Sequence, residues 1–132
     1  MSGEKNLRKL IKEMKPVLNT GKFVFITLSN VDTVSRSETV FEFKEKEGIT
    51  IVLEKSKADQ LNLSYQFIAS WITLKIHSSL EAVGLTAAFS NELAKYNISC
   101  NVVAGYYHDH IFVDHKEGEE TIKILTAFSN NY

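Results

Sequence analysis

FIASWITLKI, residues 67–76, is the stretch that decides the fold, because its β-branched and aromatic residues predict the longest strand of the chain. Residues 98–104 and 110–113 predict two shorter strands around a turn at residues 105–107. A helical pattern fills the interval between the first strand and the second, and another helical pattern follows the third strand. The second half of the chain is therefore predicted to run strand, helix, strand, strand, helix, which is an α+β arrangement.

The helix between the first two of these strands has a start signal. Ser78 and Glu81 form a capping box, in which the serine hydroxyl bonds to a backbone amide and the glutamate reaches back. Free amides at a helix start bind carboxylates readily, so this turn is a candidate ligand site. Gly84 lets a ligand approach closely, although its spacing alone favours a role in packing the helix on the sheet. The apolar residues at helical spacing are Leu85, Ala88, Phe89, Leu93 and Tyr96.

The first half of the chain repeats this pattern weakly. A helix at residues 4–14 followed by a strand at 22–28 recurs as a helix at 56–62 followed by the strand at 67–76. The strand at 22–28 leads to a hairpin of two strands within residues 39–54. The repeat predicts two related modules in one chain.

Two connections in the first half are predicted to contain neither helix nor strand. Pro16 is predicted to end the first helix, and residues 19–21 to turn the chain. Residues 29–38 are polar and irregular, so a loop is predicted there. The first module therefore has no predicted helix between its first two strands.

The composition argues against several classes of protein. The 132 residues carry a net charge of −1, which gives no reason to expect binding to nucleic acid or to a membrane surface. No apolar run approaches the roughly 20 residues of a membrane-spanning helix, and the N-terminus lacks the apolar core of a secretory signal. The single cysteine, Cys100, lies in an apolar run and is interpreted as a small hydrophobic residue. These features predict a cytoplasmic protein.

The histidines are the residues best suited to a metal. His108 and His110 would lie on one face of a strand, about 6.5 Å apart, but a zinc site needs a third ligand, which only His77 or His115 would supply. A solvated hairpin end is the preferred interpretation, so neither a metal nor another cofactor is predicted. Motifs for phosphate loops, metalloproteases and redox dithiols do not occur. No catalytic residue is predicted, and the chain is not expected to be an enzyme.

Several segments resemble an ACT domain. In the second half these are VGLTAAFS (83–90), LAKYNIS (93–99) and YYHDHIFV (106–113); in the first half they are MKPVLN with GKFVF (14–25) and EGITIVL (47–53). The chain is most similar to small, mostly bacterial proteins with two ACT-like modules in tandem. The resemblance implies two ferredoxin-like modules of the βαββαβ type, with antiparallel sheets covered by helices and a first module that lacks its first helix.

The same resemblance implies a first module at residues 1–63, a second at residues 64–132, and a regulatory function. ACT domains typically bind amino acids or similar small ligands where two modules meet. The turn into the first helix and the facing strand usually contact the ligand. In this sequence those elements correspond to Glu81, Ala82, Val83, Gly84 and Leu85, and to Asn101, Val102 and Val103.

The segment of residues 106–113 is also similar to a motif of the cytosolic arginine sensors of eukaryotes, which contain tandem ACT domains. In that motif an aspartate faces the ligand. His108 and His110 depart from the motif, so the resemblance does not name arginine as the ligand. The matching positions are Tyr106, Asp109, Ile111 and Val113.

The predicted function is non-catalytic binding of an amino acid by a regulatory homodimer that extends its sheets edge to edge. The ligand carboxylate is expected on amides of residues 83–85, and its ammonium near Glu81 or backbone carbonyls. Asp109 or His108 is expected to contact the ligand side chain. The alternative is a structural or protein-interaction module that has lost ligand binding and holds a partner through its sheet edges.

Overall fold

The computed structural model describes Gly3 and residues 5–132. The described residues form an α+β fold, which confirms the predicted fold class. The helices are α1 (Leu7–Glu13), α2 (Lys55–Gln60), α3 (Leu85–Lys95) and α4 (Gly118–Asn130). The strands are β1 (Lys15–Leu18), β2 (Phe23–Leu28), β3 (Thr39–Lys44), β4 (Ile49–Glu54), β5 (Ile68–Lys75), β6 (Asn101–Ala104) and β7 (Asp109–Asp114). None of the helices in this part of the chain is long and apolar enough to cross a bilayer.

The chain divides into two compact units. The terminal unit combines the N-terminal segment up to Thr20 with Ser70–Tyr132, and the central unit is Gly21–Ala69. The module boundary between residues 63 and 64 stays a prediction of the sequence.

The central unit is built on β2, β3 and β4. Strand β4 pairs antiparallel with both of the others, and the first residues of β5, Ile68 and Ala69, pair antiparallel with β2. Between β2 and β3 the chain forms two short 3-10 helices, Val31–Thr33 and Arg36–Glu38. The prediction that the first module lacks its first α-helix is therefore confirmed. The buried core of this unit consists of Val24, Ile26, Val34, Ile51, Leu53 and Ala58.

The strands of the terminal unit lie in the order β1, β5, β7, β6. Helices of the same unit pack on these strands. Strand β1 pairs antiparallel with β5, and β6 with β7. The buried core draws on α1, α3 and α4 as well as the strands, because apolar residues at helical spacing bring one face of each helix inward. Its members are Leu10, Ile11, Met14, Ile72, Leu74, Leu85, Phe89, Leu93, Ile98, Ile111, Val113, Ile124 and Leu125.

A buried hydroxyl joins α4 to the end of α1. The Ser129 side chain is 5% exposed, and its Oγ lies 2.7 Å from the carbonyl oxygen of Ile11 and 3.0 Å from that of Lys12. These carbonyls belong to the last turn of α1, where a helix leaves its acceptors without intrahelical donors. Ser129 thus satisfies part of the C-terminal end of α1 from another helix.

Strand β1 was not predicted. The sequence suggested that Pro16 ends the helix and leads into a turn, but Lys15–Leu18 pairs with β5 along its whole length. Proline is tolerated in a strand at the edge of a sheet, because its missing N–H then removes no interior hydrogen bond. In the terminal unit β1 is such an edge strand.

Candidate functional site

A cleft of about 150 Å³ lies in the terminal unit between the segment that enters α3 and the turn that joins β6 to β7. We call it the Gly84 cleft. One wall consists of Ser78, Ser79, Leu80, Ala82, Gly84, Leu85 and Thr86, and the other of Ala104, Gly105, His108 and Asp109.

The first wall does not contain the capping box of Ser78 and Glu81 that the sequence predicted, so that prediction is wrong. Helix α3 begins at Leu85 rather than after Ser78, and its N-cap is Gly84 with φ 98°. A left-handed residue cannot lie inside a right-handed helix, so the segment before Gly84 is irregular. There the Ser79 Oγ accepts the backbone N–H of Glu81 at 3.1 Å, two residues on instead of three.

The displaced helix start leaves backbone donors at the cleft. Gly84 offers no side chain to cap α3, and the first turn contains no acidic residue. The first intrahelical bond runs from the Ala88 N–H to the Gly84 carbonyl at 2.9 Å, so the amides of Leu85 and Thr86 have no acceptor within the helix. Both residues line the cleft. This wall therefore presents the positive end of an 11-residue helix.

The second wall is acidic and partly desolvated. Strand β7 begins at Asp109, and the preceding turn is closed by a 2.9 Å bond from the Gly105 N–H to the His108 carbonyl. Burial raises the pKa of the Asp109 carboxyl above its ordinary range, and the nearby His108 opposes part of that shift. The Nδ1 atom of His108 is buried and has no hydrogen-bond partner among the described residues.

The two walls together complement a zwitterion. Helix α3 attracts an anion, and the carboxylate of Asp109 attracts a cation. Among the described residues that line the cleft, none is a lysine or an arginine. The cleft therefore combines backbone amides that suit an anion with a carboxylate that suits a cation.

The structure brings some of the predicted site residues into this cleft and leaves others outside it. Glu81 faces a neighbouring cleft of about 200 Å³, where its carboxylate lies 3.1 Å from Lys5 Nζ. Val83 is 84% exposed, and the Asn101 amide donates to the Phe112 carbonyl at 3.2 Å. The residues brought together are Ala82, Gly84, Leu85, His108 and Asp109; those outside the lining are Glu81, Val83, Asn101, Val102 and Val103.

The sequence interpretation missed several lining residues. Ser78 was interpreted only as a helix cap, and Gly105 only as a turn. A Cβ at Gly105 would lie 2.8 Å from the His108 carbonyl oxygen, so the turn needs glycine there. The glycine between two predicted strands was the available signal that this turn is tight. Ala104 was interpreted only as part of a strand, whereas Ser79, Leu80 and Thr86 belong to the turn that was a candidate ligand site without being named as predicted contacts.

His110 does not line the cleft and belongs to a polar cluster on β5 and β7. Its Nδ1 accepts the Trp71 indole N–H at 3.0 Å and lies 3.3 Å from the Thr73 hydroxyl. The Asn19 side chain donates to the same hydroxyl at 3.0 Å. No group of three potential metal-ligating side chains occurs among the described residues. His110 therefore has a structural explanation that involves no metal.

Acidification is expected to destabilise the protein through His110. Burial lowers the pKa of His110 below its ordinary value of 6.5, and the neighbouring His108 adds to that effect. The unfolded chain then binds the proton more readily, so the stability from neutral His110 is complete above about pH 6.5 and is lost as the pH falls through the folded pKa. His110→Asn retains an acceptor but cannot titrate. Melting temperatures from pH 7.5 to pH 5 should fall less in this variant; equal slopes would refute the role of His110.

Cys100 lies on the chain between α3 and β6. Burial raises the pKa of its thiol to about 11, while a hydrogen bond with Ser90 opposes part of the shift. Cys100 is therefore protonated at neutral pH and a poor nucleophile.

Comparisons with known proteins agree on one family. Residues 2–70 match a model of the ACT domain, and residues 66–127 match a second ACT-domain model. A structure from Vibrio cholerae, described as a protein of unknown function and possible transport protein, is 44% identical. The match covers 95% of this chain and 97% of that chain, with a TM-score of 0.82. A search of curated proteins finds no match.

Two further structures share the fold at low identity. The ligand-free regulatory subunit of aspartate kinase from Thermus thermophilus is 4% identical, with a TM-score of 0.59 over 85% of this chain and 95% of that chain. Aspartokinase III of E. coli, solved with aspartate and ADP, is 11% identical, with a TM-score of 0.62 over 86% of this chain and 32% of that chain.

Proposed function

Since the chain belongs to the ACT-domain family, we propose that it is a non-catalytic regulatory protein that binds a free amino acid in the Gly84 cleft. One observation carries this proposal: the uncapped start of α3 and the carboxylate of Asp109 line the same cleft. These two groups match the two charges that every free amino acid has at neutral pH.

The ligand carboxylate belongs at the start of α3. In this proposal the N–H groups of Leu85 and Thr86 donate to its oxygens, and the positive end of the helix adds to the attraction. Gly84 allows the approach, because its left-handed backbone turns the chain immediately before these amides. The proposal thus moves the carboxylate from residues 83–85 to the first two residues of the helix.

The ligand ammonium belongs on Asp109. Glu81, the alternative that the sequence suggested, has a lysine partner and lies outside the lining of the cleft. Asp109 is partly buried, so its attraction for a cation is less screened by solvent than that of a surface carboxylate. A polar ligand group that reaches Nδ1 of His108 would also satisfy a buried atom that otherwise has no partner.

The family and the fold support a regulatory role. The regulatory subunit of aspartate kinase shares the fold, and the E. coli aspartokinase III structure contains aspartate. In our proposal, ligand binding in this cytoplasmic protein shifts an assembled state, either a homodimer joined through sheet edges or a complex with a separate regulated partner. Such a shift requires that the ligand bind one state more tightly than the other.

An interaction module that binds no ligand is the second candidate. The observation that favours it is Phe43, which is 65% exposed on β3 at the edge of the central unit. Exposed strand edges pair readily with other chains. This candidate predicts partner binding that does not depend on any amino acid.

A thermal-shift screen of the common amino acids at millimolar concentration tests the proposal. A ligand at 100 times its Kd stabilises the native state by about 2.7 kcal/mol, which corresponds to roughly 5–15 °C for a domain of this size. We expect a selective shift for one amino acid or one chemical group of them. If no amino acid raises the melting temperature at concentrations up to about 10 mM, any Kd would be weaker than a sensor needs. That result would favour the interaction module.

Replacing Asp109 with asparagine is expected to raise stability and to weaken ligand binding. The folded pKa of Asp109 is raised, so its contribution to stability is complete below the unfolded pKa and is lost as the pH rises through the folded pKa. At neutral pH the ionised carboxylate therefore costs stability, which asparagine avoids, while the ligand ammonium loses its partner.

Melting temperature and calorimetric titration of the same variant provide the measurement. We expect a higher melting temperature at pH 7.5 and an affinity at least about ten-fold lower, equivalent to 1.4 kcal/mol. Asp114→Asn is the matched control, because it removes the same charge at the other end of β7, outside the cleft. Unchanged affinity in Asp109→Asn would remove Asp109 from the site.

A further inference from the structure

The connection between β5 and α3 is weakly anchored in the core. Residues 76–84, which we call the entry segment, follow the end of β5 at Lys75 and precede the start of α3 at Leu85. None of these residues, all of which the structure describes, is buried, although Ile76 and Ala82 pack against the core while partly exposed. Segments with few buried contacts open readily by local unfolding. Contacts from elsewhere in the unit therefore decide how firmly the entry segment is held.

The first described residues of the chain lie along the entry segment. We call Gly3, Lys5 and Asn6, which precede α1, the N-terminal strap. A Cβ on Gly3 would lie 2.5 Å from the carbonyl carbon of Ser78 and 2.6 Å from the backbone nitrogen of Ser79. These distances are too short for any side chain, so the two backbones touch and the contact requires the glycine.

Two further contacts continue along the same segment. The Lys5 Nζ lies 3.1 Å from a carboxylate oxygen of Glu81, and both side chains are largely exposed, at 60% and 81%. The side chain of Leu7, the first residue of α1, lies against Gly84, where a Cβ would be only 3.1 Å from Cδ2 of the leucine. The strap and the start of α1 thus contact the entry segment near its beginning, its middle and its end.

The entry segment borders the strap and the Gly84 cleft at the same time. Ser78, Ser79 and Leu80 line the Gly84 cleft, and they also line the neighbouring cleft of about 200 Å³. Gly3 and Lys5 belong to the lining of that neighbouring cleft. A displacement of the strap therefore removes support from residues that form the first wall of the Gly84 cleft.

The strap is joined firmly to α1 and weakly to the entry segment. Asn6 is the N-cap of α1, and its side chain accepts the Lys9 backbone N–H at 3.0 Å. An ion pair as exposed as that of Lys5 and Glu81 stabilises a protein little and is screened by salt. The strap can therefore leave the entry segment while α1 stays in place.

We propose that the N-terminal strap regulates the Gly84 cleft. When it is docked, the strap holds the entry segment in the arrangement that forms the first wall; when it is released, the entry segment opens and the cleft loses affinity for its ligand. The effect on affinity rests on the proposed function of the cleft, whereas the effect on the entry segment does not. By linkage, a ligand in the cleft holds the strap more tightly.

Amide exchange of the ligand-free Gly3→Val variant tests whether the strap holds the entry segment. The atoms that the new Cβ would meet belong to the backbone, so the strap must lift. The Ala82 N–H, which donates to the Ser79 carbonyl at 2.9 Å, should then exchange at least about ten-fold faster. Exchange in β5 and α4 should not change. An unchanged Ala82, or an equal acceleration of every amide, would overturn the strap as a local device.

A second variant tests the ion pair without forcing a clash. Glu81→Gln should speed the exchange of Ala82 about two-fold, because it removes one weak contact of the strap. Glu92→Gln is the matched control, since it removes an exposed ion pair with Lys95, 3.2 Å long, within α3. Equal exchange of Ala82 in the two variants would exclude Lys5 and Glu81 from the hold of the strap.

Calorimetric titration of Gly3→Val with the amino acid that gives the largest thermal shift tests the effect on the cleft. We expect an affinity at least about five-fold lower than that of the unmodified chain, and no change in Glu92→Gln. Faster exchange of Ala82 with an unchanged affinity would overturn the regulation and leave amino acid binding intact. Failure of the unmodified chain to bind any amino acid would refute the proposed function instead, and the exchange of Ala82 would still decide whether the strap holds the entry segment.

Discussion

Gly84→Val is expected to lower the affinity for the amino acid ligand by about 100-fold, equivalent to about 2.7 kcal/mol. Gly84 has φ 98°, a backbone conformation that β-branched residues rarely adopt. A Cβ there would also lie 3.1 Å from Cδ2 of Leu7. The backbone can relieve this strain only by turning differently before α3, which moves the amides of Leu85 and Thr86 away from the ligand carboxylate.

Calorimetric titration of the purified variant measures this effect, and Gly21→Val is its matched control. Gly21 has φ 105° and lies in the central unit, and a Cβ there would meet only the Phe23 ring, at 3.9 Å. Both variants should lose roughly 1–3 kcal/mol of stability through backbone strain. Only Gly84→Val should lose affinity. An unchanged affinity in that variant would show that the ligand does not use the start of α3.

Phe89→Ala is expected to cost about 3–5 kcal/mol of unfolding free energy. Phe89 is fully buried in the terminal core, on the same face of α3 as Leu85 and Leu93. Removing its ring leaves a cavity beneath the helix that carries the ligand amides, and the surrounding core can close it only partly.

Urea unfolding measures this loss, and Phe43→Ala is the matched control. Phe43 is 65% exposed on β3, so its truncation should change the unfolding free energy by less than about 0.5 kcal/mol. A loss below about 1 kcal/mol for Phe89→Ala would contradict the close packing of α3 against the strands of the terminal unit.

The sequence predicted those strands in which the pattern of apolar residues shows which faces are buried. Strand β2 is apolar on both faces, and β3 alternates apolar with charged residues along residues 41–44, so each was visible without tertiary information. Asn97 follows the C-cap of α3 and has φ 60°, which suits the residue after a helix. Strand β1 was missed because its pairing with β5 is non-local, and Pro16 in isolation indicates a helix end.

The start of α3 shows how a local motif can mislead. Ser78 and Glu81 satisfied the capping-box pattern, yet Gly84 takes a left-handed conformation and delays the helix to Leu85. The glycine was visible in the sequence, but its sign of φ was not, because glycine populates both signs about equally. The candidate site depends on that sign, since it decides which amides reach the cleft.

The opposite wall of the Gly84 cleft was predicted only in part. His108 and Asp109 line the cleft, but Asn101, Val102 and Val103 do not. The register of β6 and β7 pairs Ala104 with Asp109 and moves Asn101 to the far end of the hairpin, opposite Phe112. That register depends on the length of the turn, which the resemblance did not supply.

Amide hydrogen exchange of the full chain, with and without the amino acid that the screen selects, tests the central claim most directly. A carboxylate that accepts hydrogen bonds from Leu85 and Thr86 should slow their exchange at least about ten-fold at saturation, because those amides exchange only when the ligand releases them. Exchange elsewhere in the terminal unit should slow less. Saturating binding that leaves Leu85 and Thr86 unprotected would contradict the Gly84 cleft as the amino acid site.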